Sequence, residues 1–289
     1  MKENLVLING EITELRENTV ALCNRGHLFG DGVFEMVAVY NGRCFALLPH
    51  MANLFDSAIG IKIPGIYTVE ELVEFHEALI MATGLENGLI YTQITRGEAP
   101  YGLEFPEMMV PQLTMFALEE DRNELRNKQL TGVNLITEPD LRWQHCDINT
   151  INRLPEVLAK QKARVAKAFD TLFIRENGKI TETTESNFML VKDDIIWTHP
   201  ANSLIHHGIV RRLIKERLAP DLDMQVIEKT FDLDFALTAE EIFLAGTQAE
   251  IMPVNKIDRK FVADKKVGAI TRKLQTAFHE FIAKECPVK

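Results

Sequence analysis

Three stretches of the chain gather residue types that bind anions, hold carboxylates or move protons. The first is Arg25-Gly26-His27-Leu28-Phe29-Gly30-Asp31-Gly32-Val33-Phe34-Glu35, which sets an aspartate between two glycines. Taken alone, such a loop signals a turn, because glycine supplies backbone angles that other residues avoid. The second, His145-Cys146-Asp147-Ile148-Asn149-Thr150-Ile151-Asn152, sets imidazole, thiol and carboxylate side by side. Neighbours on an extended segment point to opposite faces, so these three groups do not assemble a nucleophilic triad. The third runs from Thr181-Glu182 to Ser186-Asn187-Phe188 after a hairpin at Asn177-Gly178. There Glu182 reads either as a surface acid or as a carboxylate directed into a site. His206-His207, before Gly208, has no second group of ligands at metal spacing and reads as a solvated loop ahead of a helix, so no metal site is expected. Asp193-Asp194 reads as a hairpin turn.

The elements that must position these residues follow from turn chemistry and periodicity. Asn9-Gly10 closes a strand over Leu5–Ile8, and Asn41-Gly42 joins strands at Val37–Tyr40 and Arg43–Leu47, since both turn positions need positive φ. Met51, Leu54, Phe55, Ala58 and Ile59 recur at helical spacing. Thr68 with Glu71 forms a capping box that opens a second helix, and Gly84 stops it. Strands follow at Leu89–Thr95 and Gln112–Leu118. The charged stretch 119–129 predicts a linker between a small α+β domain (1–120) and a larger α/β domain (128–289). In the second domain the pattern gives a strand at Val133–Thr137, a helix at Pro155–Ala168 and strands at Phe188–Val191, Ile195–Thr198, Val226–Glu228 and Ile242–Ala245. A helix starts near Gly208, and a last one covers Val267–Lys284.

Composition bounds what the chain can do. Its 289 residues are 46% hydrophobic and 26% charged, the balance of a globular protein. The formal charge of −10, with no basic cluster along the sequence, disfavours nucleic acid and anionic lipid as partners. Cys23, Cys44, Cys146 and Cys286 are scattered, which excludes a CxxC zinc pattern and fits a reducing, cytoplasmic setting. The N-terminal apolar run is too short and acidic for a signal peptide, and no stretch is long enough to span a bilayer.

Further stretches complete a pattern. Pro49-His50-Met51-Ala52-Asn53-Leu54 comes first, then Arg142-Trp143 through Leu158-Ala159-Lys160-Gln161. Thr198-His199-Pro200-Ala201-Asn202 through Gly208-Ile209 follows, and Phe243 through Thr247-Gln248-Ala249-Glu250-Ile251 with Pro253-Val254 closes the set. In this order the chain resembles, over nearly its whole length, the fold type IV, class IV pyridoxal-phosphate-dependent aminotransferases, nearest the D-amino acid transaminases. The resemblance implies a two-domain fold enclosing a cleft. It implies a homodimer as well, in which the loop carrying Tyr101 and Leu103 reaches the neighbour's site. It also implies that Glu182 pairs with the pyridine nitrogen, while the Ile209 and Val210 amides at a helix start and Thr247 receive the phosphate.

At other positions the chain departs from the family. Its Schiff-base lysine lies in a D-I-K-[ST]-x-N segment, and here Asn149 takes that place, expected to line the cofactor cleft facing Glu182 across the ring position. An asparagine amide neither attacks an aldehyde nor exchanges protons near neutral pH. Asn53 replaces a phosphate-clamping arginine, Val210 a phosphate-binding hydroxyl residue, and Phe34 an active-site tyrosine. Tyr101 and Leu103 stand where an arginine and a histidine hold the substrate carboxylate. Loss of one charge-assisted hydrogen bond weakens binding by about 10- to 100-fold. The resemblance with these departures implies a family member with a degenerate site and without ordinary transaminase activity. Such a protein binds pyridoxal phosphate weakly and non-covalently or not at all, and is open to a small carboxylated or phosphorylated ligand. The alternatives are an active D-amino acid transaminase or an aminodeoxychorismate-lyase-like enzyme with another base, Lys160 and Lys162 being the nearest lysines, or an enzyme of another class in the emptied pocket.

Overall fold

The computed structural model describes residues 4–16, 20–65, 67–262 and 266–288 of the chain. By internal contacts the chain forms two units. One comprises Met1–Asp121, Ile148–Asn152 and Ile282–Lys289, and the other Arg122–Asp147 and Arg153–Phe281.

In the first unit the hairpins form where turn chemistry requires them. β1 (Leu5–Ile8) turns through Asn9-Gly10 into β2 (Glu11–Glu14), with φ of 51° and 91° at the turn. A short helix, α1 (Arg25–Phe29), is capped by the Asn24 side chain and ends at left-handed Gly30. β3 (Gly32–Tyr40) turns through Asn41-Gly42 into β4, which pairs only over Arg43–Cys44. The strand expected to reach Leu47 stops early because Ala46 adopts a left-handed conformation and opens α2 (Leu47–Gly60). Thr68 and Glu71 form the reciprocal capping box of α3 (Val69–Thr83), which ends at left-handed Gly84. β5 (Gly88–Thr95) and β6 (Gln112–Glu119) complete a six-stranded antiparallel sheet of order β2-β1-β6-β5-β3-β4. α2 and α3 bury Met51, Leu54, Leu72 and Leu79 against Leu7, Val37, Ile90 and Met115 of that sheet.

The second unit opens with α4 (Arg122–Thr131), a helix inside the stretch expected to be a linker. It was hidden because it buries only Gln129 and so carries no apolar stripe. β7 (Val133–Pro139), α5 (Leu154–Val165) and β8 (Asp170–Ile174) form a strand–helix–strand crossover with β7 and β8 parallel. β9 (Ile180–Thr183), β10 (Asn187–Lys192) and β11 (Ile195–Thr198) follow. α6 (Ile209–Leu213) continues through a π-helical turn at Ile214–Leu218 into α7 (Ala219–Asp221). Then come β12 (Val226–Glu228), α8 (Leu233–Ala236), β13 (Glu241–Gly246), β14 (Glu250–Ile257), β15 (Lys260–Phe261) and α9 (Ala269–Glu285). The strands run in the order β12-β11-β10-β13-β14-β7-β8-β9, and β9 pairs back onto β10. The path from β10 to β9 therefore closes on itself around Leu135, Leu172, Phe188, Leu244 and Met252.

Candidate active site

In the first unit, the segment Ile148–Asn152 is laced to β3 and its flanks by backbone atoms. Phe34 N donates to the Asn149 carbonyl (2.9 Å) and Ile151 N to the Gly32 carbonyl (3.1 Å), with a bridge between Val33 and Thr150. Asn149 N donates to Ser57 Oγ on α2 (3.0 Å), and Asn152 Nδ2 donates to the Gly30 carbonyl (2.7 Å). Ser57 lies one helical turn beyond Asn53, so the two share a face of α2. The Phe34 ring is buried, stacked on Tyr91, which stacks in turn on Phe116. Asn149, Phe34 and the Asn53 face of α2 thus belong to one neighbourhood of the first unit.

Tyr101 and Leu103 are 80% and 75% exposed. Their loop is held from beneath by cations already committed elsewhere. Arg25 donates through Nη1 to the carbonyls of Gly102 (2.7 Å) and Glu104 (3.2 Å), and through Nη2 to that of Leu103 (3.3 Å). Its Nε and that of Arg96 both bind Asp31 Oδ2 at 2.8 Å. Arg96 also donates to the Lys62 and Ile61 carbonyls and packs its guanidinium 3.7 Å from the Phe105 ring centroid. Burial alone would raise the Asp31 carboxyl, but hydrogen bonds and charge from Arg96 and Arg25 hold it below the usual carboxylate range. Arg25 and Asp31 lie in the first stretch quoted from the sequence, but nothing there signals that both Arg25 and Arg96 bind Asp31.

In the second unit, Glu182 on β9 is buried at the centre of a polar network. Arg142 Nη1 donates to its Oε1 (2.6 Å), the His206 amide to both oxygens (3.0 and 3.1 Å), and Asn187 Nδ2 to Oε2 (2.9 Å). Asn187 stands opposite Glu182 in the β9–β10 pairing. Arg142 also binds Asp140 through Nε (3.0 Å) and Nη2 (2.9 Å), and Arg175 Nε lies 3.0 Å from Asp140 Oδ2. Burial pushes the Glu182 carboxyl up to about 7 against the lowering pull of Arg142. Asp140, also buried, is instead held below the usual range by its bonds to Arg142 and the charge of Arg175. Two residues beyond His206, Gly208 begins α6, where Ile209 and Val210 bury their side chains, and first-turn amides have no partner within the helix. α6 packs on β13, and Thr247 sits half-buried in the turn after that strand. Asp140, Arg175 and the His206 amide were missed, since charged residues and backbone groups distant in sequence give no periodic signal.

The sequence pattern of the amino-transferase class IV family matches residues 32–257. The chain belongs to the class IV aminotransferases. It is similar to the D-alanine aminotransferase of Staphylococcus haemolyticus, 40% identical over 281 residues that cover 96% of this chain and 97% of that one. The D-alanine aminotransferase of Bacillus licheniformis is 37% identical over 280 residues, covering 97% and 98%. Among solved structures, the branched-chain amino acid aminotransferase of Escherichia coli superposes with a TM-score of 0.90 at 25% identity, covering 100% of this chain and 97% of that chain. The 4-amino-4-deoxychorismate lyase of Pseudomonas aeruginosa superposes with a TM-score of 0.80 at 25% identity, covering 96% and 98%. The fold is therefore fold type IV, a two-domain architecture of mixed helices and sheets, as the sequence resemblance implied.

Class IV aminotransferases are pyridoxal-phosphate-dependent, so the donor set of this one can be tested against that cofactor. A carboxylate has about four lone-pair directions. Three donors converge on Glu182, the His206 amide shared between its two oxygens, and a protonated ring nitrogen would be a fourth that favours the ionised carboxylate. This half of the site fits. Among the described residues the lysines near the motif are engaged. Lys160 Nζ lies 2.8 Å from Glu185 and 3.5 Å from Asp170, and Lys162 Nζ lies 2.6 Å from Glu138. Burial would lower the Lys160 amine, but the charges of Asp170 and Glu185 raise it and keep it protonated. No group of acids, histidines and cysteines that could hold a metal ion occurs among the described residues, and no helix there is long and apolar enough to cross a membrane.

Proposed function

We propose that this class IV aminotransferase has a degenerate active site, is without ordinary transaminase activity, and carries Asn149 at the family's Schiff-base position. One observation carries the proposal. The segment 147–152 that holds the family lysine is tied by backbone bonds at Phe34, Gly32 and Ser57, and the side chain it presents at position 149 is an amide. Pyridoxal phosphate, when bound, supplies an electron sink for the substrate's α-carbon. On this side the chain supplies Glu182 for the ring nitrogen, the Ile209 and Val210 amides and Thr247 for the phosphate, and no amine to hold the aldehyde. Asn53 adds no charge, so binding is non-covalent and weak. Tyr101 and Leu103 add none for a substrate carboxylate, and Arg25 and Arg96 beneath them are bound to Asp31 and to backbone carbonyls. A small carboxylated or phosphorylated ligand would be received by the Ile209 and Val210 amides, which need no side-chain charge to accept an anion. The chain acts as a homodimer, which the exposed apolar run of Tyr101, Leu103, Met108 and Val110 supports, and its four free thiols suit the cytoplasm.

A second reading is an active D-amino acid transaminase, or a relative of the lyase, with a base elsewhere. Whole-length similarity to D-alanine aminotransferases favours it. Spectra of the purified protein with added pyridoxal phosphate, before and after borohydride, separate the two. The degenerate site gives no borohydride-trapped adduct and near-background pyruvate from D-alanine. Asn149→Lys restores the trapped adduct, leaves turnover poor, and binds the cofactor more tightly once combined with Asn53→Arg. Robust transamination by the unmodified protein, or a trapped adduct on Lys160 or Lys162, overturns the proposal. Sedimentation at micromolar concentration tests the dimer, and a monomer there counts against it.

A further inference from the structure

The second unit carries a groove of about 900 Å³ that none of the chemistry above uses. One face of α5 forms a wall: Arg153, Lys160 and Arg164 are spaced seven and four residues apart, the spacing of a single helical stripe. Lys167, just past the helix, extends the stripe, and Lys128 at the end of α4 faces it. Four of these cations come from the single stretch 153–167, so the groove concentrates local positive charge that the net total of the chain conceals.

The groove is positive on a chain whose net charge is −10. Glu156 and Glu185 are its carboxylates, and Glu185 is already bound to Lys160, whose other neighbour is the buried Asp170. Lys128 is paired with Glu124, and Arg153 donates to the Thr184 carbonyl. Arg164 and Lys167 have no side-chain partner among the described residues, and both are exposed. Lys167 also holds a positive φ of 56°, at a helix end where glycine is easier. A cation therefore lines the groove at a backbone conformation that glycine adopts more easily. The Phe169 ring, also in the lining, has Lys160 Nζ at 5.2 Å and Lys128 Nζ at 5.9 Å from its centroid, within cation–π range.

Arg153 and Arg164 stand eleven residues apart, about 16 Å along the helix. A single phosphate cannot reach both. We propose that this groove binds an elongated polyphosphate anion, the chemistry shared by inorganic tripolyphosphate and nucleoside triphosphates, along the Arg153–Lys160–Arg164–Lys167 stripe. The site is separate from Glu182 and does not depend on whether the pyridoxal reading holds.

Calorimetric titration of the full chain with sodium tripolyphosphate at low salt tests this, with ATP in parallel. Saturable binding is expected that weakens severalfold on raising salt from about 50 to 200 mM, because the contacts are ionic. Arg164→Glu with Lys167→Glu should weaken it about tenfold or more while leaving pyridoxal phosphate binding unchanged. Should the double variant melt early, Arg164→Gln alone should still weaken binding. Equal affinity for the two ligands places recognition on the phosphates, and tighter ATP binding that the variants also weaken adds a nucleoside contact to the same site. Absence of saturable heat at millimolar tripolyphosphate, affinity unchanged in the variants, or a short RNA binding more tightly than either probe overturns the proposal.

Discussion

Replacing Arg142 with methionine tests whether the network around Glu182 holds the second unit together. The substitution keeps the buried stem and removes the guanidinium that joins Asp140 to Glu182. Breaking a buried ion pair by deleting one partner costs about 3–5 kcal/mol, since the other charge stays buried. Here Asp140 keeps Arg175, and Glu182 keeps Asn187 and the His206 amide, so the low end, about 3 kcal/mol, is expected. For a unit of this size that corresponds to a fall in Tm of about 6–12 °C. The pH dependence gives a second handle. The native Glu182 carboxyl titrates near 7, above its ordinary 4.5, so its ionised form is disfavoured in the folded state and stability falls as pH rises between those values. Without Arg142, burial is less opposed and the carboxyl rises further. Arg142→Met should therefore lose more stability at pH 8, where folding must bury the charge, than at pH 6, where the group takes up a proton. Melting curves by circular dichroism at both pH values provide the assay. A fall in Tm of under about 2 °C, or a larger loss at pH 6 than at pH 8, would refute the reasoning.

Two further outcomes are expected. In the first unit, His76 donates from Nδ1 to the Leu72 carbonyl and accepts at Nε2 from Thr92, and burial drives its pKa from 6.5 to about 4. A depressed histidine loses stability as pH falls through that window, by about 2 kcal/mol at pH 5, which amide exchange in α3 and β5 at pH 5 and 7 would register. The effect should vanish in His76→Gln; persistence there would assign it to another group. A Cβ added at Gly208 would meet Asn187 Oδ1, so Gly208→Ala should displace Asn187 from Glu182, costing about 1–3 kcal/mol and weakening pyridoxal phosphate binding. Unchanged melting and affinity in that variant would show that Asn187 is dispensable.

Local chemistry was legible in the sequence and long-range closure was not. Asn9-Gly10, Asn41-Gly42 and the Thr68–Glu71 box lie where expected because each is settled by residues a few positions apart. α4 escaped notice because it is exposed and polar, and β14 because Pro253 interrupts a strand pattern that the structure nonetheless completes. The pairing of β9 back onto β10, which sets Asn187 against Glu182, has no signature in either strand alone. At the site, motif order singled out Asn149, Phe34 and Glu182 as candidates. The Arg25–Asp31–Arg96 and Asp140–Arg142–Arg175 networks join charges whose spacing carries no period.

The bonds at position 149 divide the residue's duties between its atoms. Its amide and carbonyl fasten the segment to Ser57 and Phe34, and any amino acid other than proline supplies the same pair. What the side chain does is therefore invisible to folding. Lysine and asparagine codons differ only in the third base, so either residue can stand at this position with these bonds intact. Selection for a folded chain does not then fix which side chain stands at 149. The same independence lets Asn149→Lys be made in the laboratory without rebuilding the scaffold.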